Sequence, residues 1–245
     1  LKNFSIQLDK LTNKKNIIAA NEGSAVSIGI GHYLSTKKVP CIYFQNSGLS
    51  NAINPMISIA NKSVYSIPLF LVIGWRGSPN KSDEPQHKAK GKITRQILKL
   101  LDIDYCILKN EKDFFKVKKL LKKTNKQKCI TACLIEKDTF LTKTKKSIKL
   151  DKNFILRSEF IETFLKIIPK SSKIISTTGY TSRELMQIRK QKKISNGKDF
   201  YMVGGMGHAS MVTLGYAMNS TKEVFCLDGD GSVLMHLGSL RTVGY

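Results

Sequence analysis

Short apolar runs alternate with longer amphipathic stretches along the first half of the chain. Ile42-Tyr43-Phe44, Leu69-Phe70-Leu71-Val72-Ile73, Tyr105-Cys106-Ile107-Leu108 and residues 129–135 read as strands, with helices between them. Ile17-Ile18-Ala19-Ala20 reads as a further strand running into Asn21-Glu22-Gly23, and Ala25-Val26-Ser27-Ile28-Gly29-Ile30-Gly31 as the helix that follows. Such alternation predicts a parallel, doubly wound α/β sheet. A lysine-rich polar connection occupies residues 137–153, and residues 154–168 read as a helix ended by Pro169. Lys173-Ile174-Ile175-Ser176 opens a second α/β unit, with a helix over 209–217 and a strand at Val224-Phe225-Cys226-Leu227. The expected division is two doubly wound domains, residues 1–150 with the lysine-rich linker and residues 151–245.

The strand at 224–227 ends in Asp228-Gly229-Asp230-Gly231-Ser232, and an apolar stretch resumes at once. Glycines let the backbone turn sharply and approach a ligand closely. Asp230 is thereby presented at the carboxyl end of a strand, where open α/β sheets place their ligands. A hard carboxylate beside phosphate-cradling amides makes a natural magnesium site; a strand-to-helix turn with nothing bound is the plain alternative. Glu22, at the start of a helix rich in small residues, is the second candidate, against a first-turn acid that merely suits the helix dipole. In Gly204-Gly205-Met206-Gly207-His208 the glycine spacing suggests a dinucleotide loop, but Ser210 stands where that fingerprint wants its third glycine.

Composition narrows the class. Hydrophobic content of 41% is that of a globular protein, and no apolar run approaches the roughly 20 residues of a membrane span. Five cysteines without a disulfide-like framework fit a reducing cytoplasm, all in apolar or strand-like settings. Cys129 and Cys133 lack a companion pair for zinc. The net charge of +23 is nearly all lysine, densest at 116–128 and 137–152, with arginine only at 76, 95, 157, 183, 189 and 241. Base-reading and phosphate-clamping surfaces lean on arginine, so the excess reads as solvated surface and not as a nucleic-acid site.

Four blocks in order carry a resemblance across almost the whole chain. They are residues 20–31; residues 43–55, with Gln45-Asn46-Ser47-Gly48; residues 65–87, with Trp75-Arg76-Gly77 and Asp83-Glu84-Pro85-Gln86-His87; and Ser176-Thr177-Thr178-Gly179 through Met206 to Gly229-Asp230-Gly231. On these the chain resembles the thiamine-diphosphate-dependent decarboxylases, and within them those acting on phosphonopyruvate or sulfopyruvate. The resemblance implies pyrimidine-binding and diphosphate-binding domains. It implies a reaction in which 3-phosphonopyruvate yields phosphonoacetaldehyde and carbon dioxide, with sulfopyruvate as the alternative substrate and a non-catalytic cofactor-binding remnant as the alternative function.

By the same resemblance Glu22 hydrogen-bonds the cofactor's pyrimidine nitrogen, Gly204 accepts from its amino group, and Met206 wedges between its two rings; plain core packing is the other reading of Met206. Asp230 holds Mg2+, with backbone groups of Gly229, Gly231 and Ser232 around the diphosphate, and Gly205 is a further cofactor-binding residue. Gln45, Asn46 and Ser47 offer uncharged donors to a carbonyl or carboxylate. Arg76 emerges at a strand's end, where a guanidinium holds a phosphonate or sulfonate bidentately; a salt bridge to Asp83 or Glu84 is its other reading. His87 is a candidate for proton transfer or for binding the anionic head, and His208 for a place near the diphosphate or a structural bond. A homo-oligomer is implied, with Glu22 and Asp230 given to one site by different chains. Further sequence is implied too, a strand and helix before Leu1 and a magnesium-sharing asparagine beyond Tyr245, so this stretch alone is expected to be inactive.

Overall fold

The computed structural model describes residues 2–11, 16–79, 81–140, 154–194 and 199–245. The chain divides into two units, Leu1–Lys145 and Lys146–Tyr245. The boundary and residues 141–153 of the lysine-rich linker lie outside the described residues.

The first unit is built on four parallel strands, β1 (Cys41–Gln45), β2 (Leu69–Gly74), β3 (Asp104–Leu108) and β4 (Ile130–Ile135), in the order β1-β2-β4-β3. Every residue of β2 and β4 is buried, whereas β1 and β3 alternate or are half covered. That difference follows from position: only a central strand with helices on both faces is uniformly apolar. Helices α1 (Lys2–Leu11), α2 (Glu22–Thr36), α3 (Leu49–Pro55), α4 (Pro85–Leu100) and α5 (Phe114–Gln127) cover the sheet. One face packs Ile42, Phe44, Leu71, Ile73 and Leu134 against Val26 and Ile30 of α2, Leu49 and Ala52 of α3 and Leu98 of α4. The other packs Phe70, Val72 and Cys133 against Phe4 of α1 and Val117 and Leu120 of α5. The lysines of 116–128 lie mostly on the outer face of α5, as a solvated surface should.

Ile17-Ile18-Ala19-Ala20 does not form the expected strand: Ile17 is 65% and Ile18 84% exposed, and β1 pairs with β2 alone among the described residues. Apolarity selects a strand only where a neighbouring strand completes the hydrogen-bond ladder. The cysteines lie in strand settings as expected, Cys41, Cys106, Cys133 and Cys226 within strands and Cys129 directly before β4; Cys129 and Cys133 are buried and Cys41 is exposed.

The second unit has three parallel strands, β5 (Lys173–Ser176), β6 (Phe200–Tyr201) and β7 (Val224–Leu227), in the order β6-β5-β7. Its helices are α6 (Arg157–Ile167), α7 (Tyr180–Lys192), α8 (Ala209–Ala217), α9 (Asp230–Met235) and α10 (Ser239–Val243). Ile161 and Leu165 of α6 and Leu185 and Ile188 of α7 pack with Ile174 and Leu227 on one face; Ala209 of α8 packs with Ile175 on the other. Helix α6 begins at Arg157, later than expected, because Phe154, Ile155 and Leu156 stay exposed outside the core. A buried ion pair ties the end of α7 to β6: Arg189 donates through Nε and Nη2 to Asp199, which also accepts from Ile174 N and Tyr201 Oη. Both units are thus α/β, with parallel sheets flanked by helices. No helix of the described residues is long and apolar enough to cross a membrane.

Candidate active site

In the first unit the candidate residues gather where β1 and β2 end. Strand β1 runs into a 3-10 turn, Asn46–Gly48, and α3 starts at Leu49. Glu22 is the first residue of α2, whose N-cap Asn21 accepts from Ser24 N at 2.9 Å. Its carboxylate lies directly against Gly48: a β-carbon there would stand 1.9 Å from Glu22 Cδ and Oε1. Asn51 of α3 donates from Nδ2 to Glu22 Oε2 at 2.9 Å. A glycine seat on one side and an amide on the other confine this half-buried carboxylate. Neither Gly48 nor Asn51 was singled out as functional from sequence, because nothing in their own spacing points at Glu22.

Asn46 differs from expectation. It is 5% exposed, and its amide already donates to Arg76 O at 3.0 Å and Thr94 Oγ1 at 2.9 Å while accepting from Arg76 N at 3.0 Å. Burial required those partners, so Asn46 braces the chain after β2 and is not left to bind a substrate. Ser47 Oγ donates to Gln45 Oε1 at 2.6 Å, and Lys90 Nζ reaches Ser47 O at 3.2 Å. Lys90 was missed because it sits among many lysines of α4.

Arg76 makes the ion pair raised as its alternative reading, donating from Nε at 2.7 Å and from Nη2 to Asp83. Its side chain nevertheless remains 36% exposed, against 4% for Asp83. Arg76 and two backbone N–H groups hold Asp83 well below the usual carboxylate range despite its burial. His87, in the first turn of α4, has a buried Nδ1 without a partner among the described residues. Burial, and then the nearby Arg76 charge, push this imidazole below its ordinary value, favouring the neutral form. A cavity of about 410 Å3 opens over the ends of β1, β2 and β4, lined by Gln45, Gly74, Arg76, Ile135 and Glu136. Larger cavities beside β3 are lined by none of the candidate residues.

In the second unit, the loop after β6, the end of β5 and the start of α9 meet. Gly207 N donates to Ser232 Oγ at 2.9 Å, and Ser232 Oγ lies 3.0 Å from Thr177 Oγ1. Gly207 has φ +92°, and a β-carbon there would fall 2.5 Å from His236 Cδ2, so only glycine fits. Gly205 also takes a positive φ, +69°. Met206 between them is 45% exposed, which excludes plain core packing, and its Cε approaches Gly231. Asp228 Oδ1 accepts from Gly229 N at 2.9 Å, leaving the exposed Asp230 carboxylate to open α9. The His208 and His236 rings stack at 4.7 Å, and His236 Nε2 is buried without a partner among the described residues. No group of three or more His, Cys, Asp or Glu side chains forms a ready metal cage among the described residues.

The loop, Ser232 and Asp230 together suit an anion carried with a cation. Helix α9 offers first-turn N–H groups, Asp230 offers a hard oxygen ligand, and Met206 offers an apolar surface.

Comparison with known proteins agrees. Residues 177–245 match the thiamine pyrophosphate enzyme C-terminal TPP-binding domain, a stretch that contains the glycine loop and the Asp230 turn. The chain is similar to phosphonopyruvate decarboxylase of Streptomyces viridochromogenes, at 31% identity over 93% of this chain and 60% of the relative. Similarity to phosphonopyruvate decarboxylase of Streptomyces hygroscopicus is also 31%, over 93% of this chain and 59% of the relative. Sulfopyruvate decarboxylase subunit beta of Methanocaldococcus jannaschii is 39% identical over 36% of this chain and 45% of that subunit. The chain therefore spans about three fifths of the length of the two Streptomyces relatives. Fold, glycine loop and these similarities agree that residues 177–245 match a thiamine pyrophosphate enzyme C-terminal TPP-binding domain and that 93% of the chain is similar to phosphonopyruvate decarboxylases.

Proposed function

We propose that this chain takes part in the thiamine-diphosphate- and magnesium-dependent decarboxylation of 3-phosphonopyruvate, giving phosphonoacetaldehyde and carbon dioxide. The observation that carries the reading is the confined Glu22 carboxylate, seated on Gly48 and held by Asn51 beside the residues that follow β1 and β2. When bound, thiamine diphosphate supplies the electron sink that a departing carboxylate needs. Glu22 then serves as the hydrogen-bonding partner of the aminopyrimidine ring nitrogen and can share its proton there. A carboxylate clamped on two sides holds that proton in one place, which favours transfer over reorientation.

In the same reading Met206 supplies the apolar wedge and Gly204 a carbonyl acceptor. Asp230 would ligate Mg2+, the backbone at Gly229, Gly231 and Ser232 would hold the diphosphate, and Gly205 would add a further cofactor contact. Gln45 and Ser47 address the 2-oxo acid, Asn46 sets the position of Arg76, and Arg76 meets the phosphonate. The neutral form favoured at His87 leaves its imidazole free to accept a proton or a hydrogen bond. A homo-oligomer belongs to the proposal; a relative named as a subunit beta supports assembly of more than one chain.

The test is carbon dioxide release by the whole gene product with thiamine diphosphate and Mg2+, comparing phosphonopyruvate, sulfopyruvate and pyruvate at equal concentration. Preference for phosphonopyruvate is the expected result. Preference for sulfopyruvate keeps the chemistry and overturns the substrate, and cofactor binding without turnover of any of the three overturns the reaction.

A further inference from the structure

Ion pairing and anion recognition were alternatives for Arg76, yet the geometry of the guanidinium allows both. A guanidinium carries five N–H donors in one plane. The pair with Asp83 is side-on, engaging Nε and Nη2 and leaving Nη1 and the outer half of Nη2 pointing away from the carboxylate. Asp83 accepts two further bonds, from Gly77 N and Glu84 N, each at 2.9 Å. A carboxylate with four donors and 4% exposure cannot swing, so neither can the side of Arg76 that it holds.

The backbone is equally constrained. Asn46 grips both N and O of Arg76. The next residue, Gly77, has φ +68°, and a β-carbon on it would lie 1.9 Å from His87 O. Trp75 Nε1 donates to Gly91 O at 3.0 Å, fastening the same loop to α4. Arg76 is thus restrained at its main chain and along one edge of its head, while 36% of its side chain stays open. A surface ion pair made for stability alone has no need of a buried, four-fold satisfied carboxylate or of that amount of scaffolding.

We propose that Asp83 is a positioning residue, which locks Arg76 so that the outer Nη1–Nη2 edge is presented to the tetrahedral oxyanion head of a three-carbon 2-oxo acid. This rests on the decarboxylase reading given above and adds to it the residue that makes the head group recognisable. Asp83 itself touches no substrate. The effect falls on substrates that carry the head and spares the chemistry at the 2-oxo carbon.

The experiment uses the whole gene product with its cofactors. KM and kcat for phosphonopyruvate are measured for wild type, Asp83→Asn, Asp83→Glu and Arg76→Lys, and the binding of 3-phosphonopropionate and of propionate is titrated calorimetrically. Asp83→Asn is expected to raise KM for phosphonopyruvate and Kd for 3-phosphonopropionate roughly tenfold, the loss of a charge-assisted pair's alignment. Its kcat should stay within about twofold and propionate binding should not change, since no interaction made only in the transition state is removed. Asp83→Glu is expected to recover part of the affinity. Arg76→Lys keeps the charge but loses the planar fork, and is expected to show the same selective loss, which keeps the proposal testable if the asparagine variant does not fold. Equal weakening of both ligands, or unchanged KM in Asp83→Asn, would overturn the positioning role. If wild type turns over phosphonopyruvate but does not bind the phosphonate ligand better than propionate, the decarboxylase reading survives and the head-group site fails; if wild type turns over none of the 2-oxo acids, both fail together.

Discussion

Gly48→Ala isolates the Glu22 assignment with a single methyl group. The added carbon would stand 1.9 Å from Glu22 Cδ, whereas ordinary carbon contacts lie near 3.5 Å, so the carboxylate must withdraw by about 1.5 Å. The alanine itself is tolerated by the backbone, since Gly48 sits at φ −96°, ψ 1°. What moves is the far end of a flexible side chain, and the Asn51 bond it forfeits is worth about 1 kcal/mol. Replacing glycine returns about 0.4–1 kcal/mol through the unfolded chain, so the net change in stability should be close to zero. Catalysis is less forgiving, because misplacing a reacting group by about 1 Å can cost about a hundredfold. Carbon dioxide release by Gly48→Ala should therefore fall about a hundredfold, about 2.7 kcal/mol of barrier, with the melting temperature held. Combining Gly48→Ala with Glu22→Gln should add little to Glu22→Gln alone, since both act on one group. Wild-type turnover in Gly48→Ala, or full additivity in the double variant, would refute the idea that this carboxylate position matters.

Asp199→Ala should cost about 3–5 kcal/mol in urea unfolding, because it takes from the Arg189 side chain, 7% exposed, the carboxylate that meets its charge in the interior; a loss under about 1 kcal/mol would mean the pair is not buried as described. Asp230→Asn should raise the Mg2+ concentration needed for half activation by roughly tenfold or more, and an unchanged requirement would remove Asp230 from the metal site. Gly91→Ala should destabilise the first unit severely, since its β-carbon would fall 1.8 Å from Gly77 O, a backbone atom and not the far end of a flexible side chain; calorimetry showing an unaltered transition would contradict that packing.

The sheet was legible wherever burial wrote itself into composition. The uniformly apolar β2 and β4 are central strands, and the parallel pairing of all four strands is what the alternation of strand and helix predicts. Ile17 and Ile18 are just as apolar and form no strand, because a periodic pattern reports what a segment could bury and not whether a partner lies beside it. The start of α6 failed for a related reason: Phe154-Ile155-Leu156 continues the apolar pattern of the helix but lies outside its packed face.

Site residues were legible as types and not as relations. Glu22, Arg76 and Asp230 stand out because each charged group follows an apolar run, whereas His87 stands out only through the resemblance. Asn46 shows what such reasoning cannot reach: its position after β1 is that of a substrate donor, and only the distances to Arg76 and Thr94 show its amide already engaged. Gly48 and Asn51 carry no chemistry of their own and matter only through the carboxylate between them. Arg76 shows the converse. Its two readings compete only when a residue is treated as one point of charge. Once the guanidinium is resolved into edges, the Asp83 pair occupies one edge and the two readings no longer exclude each other.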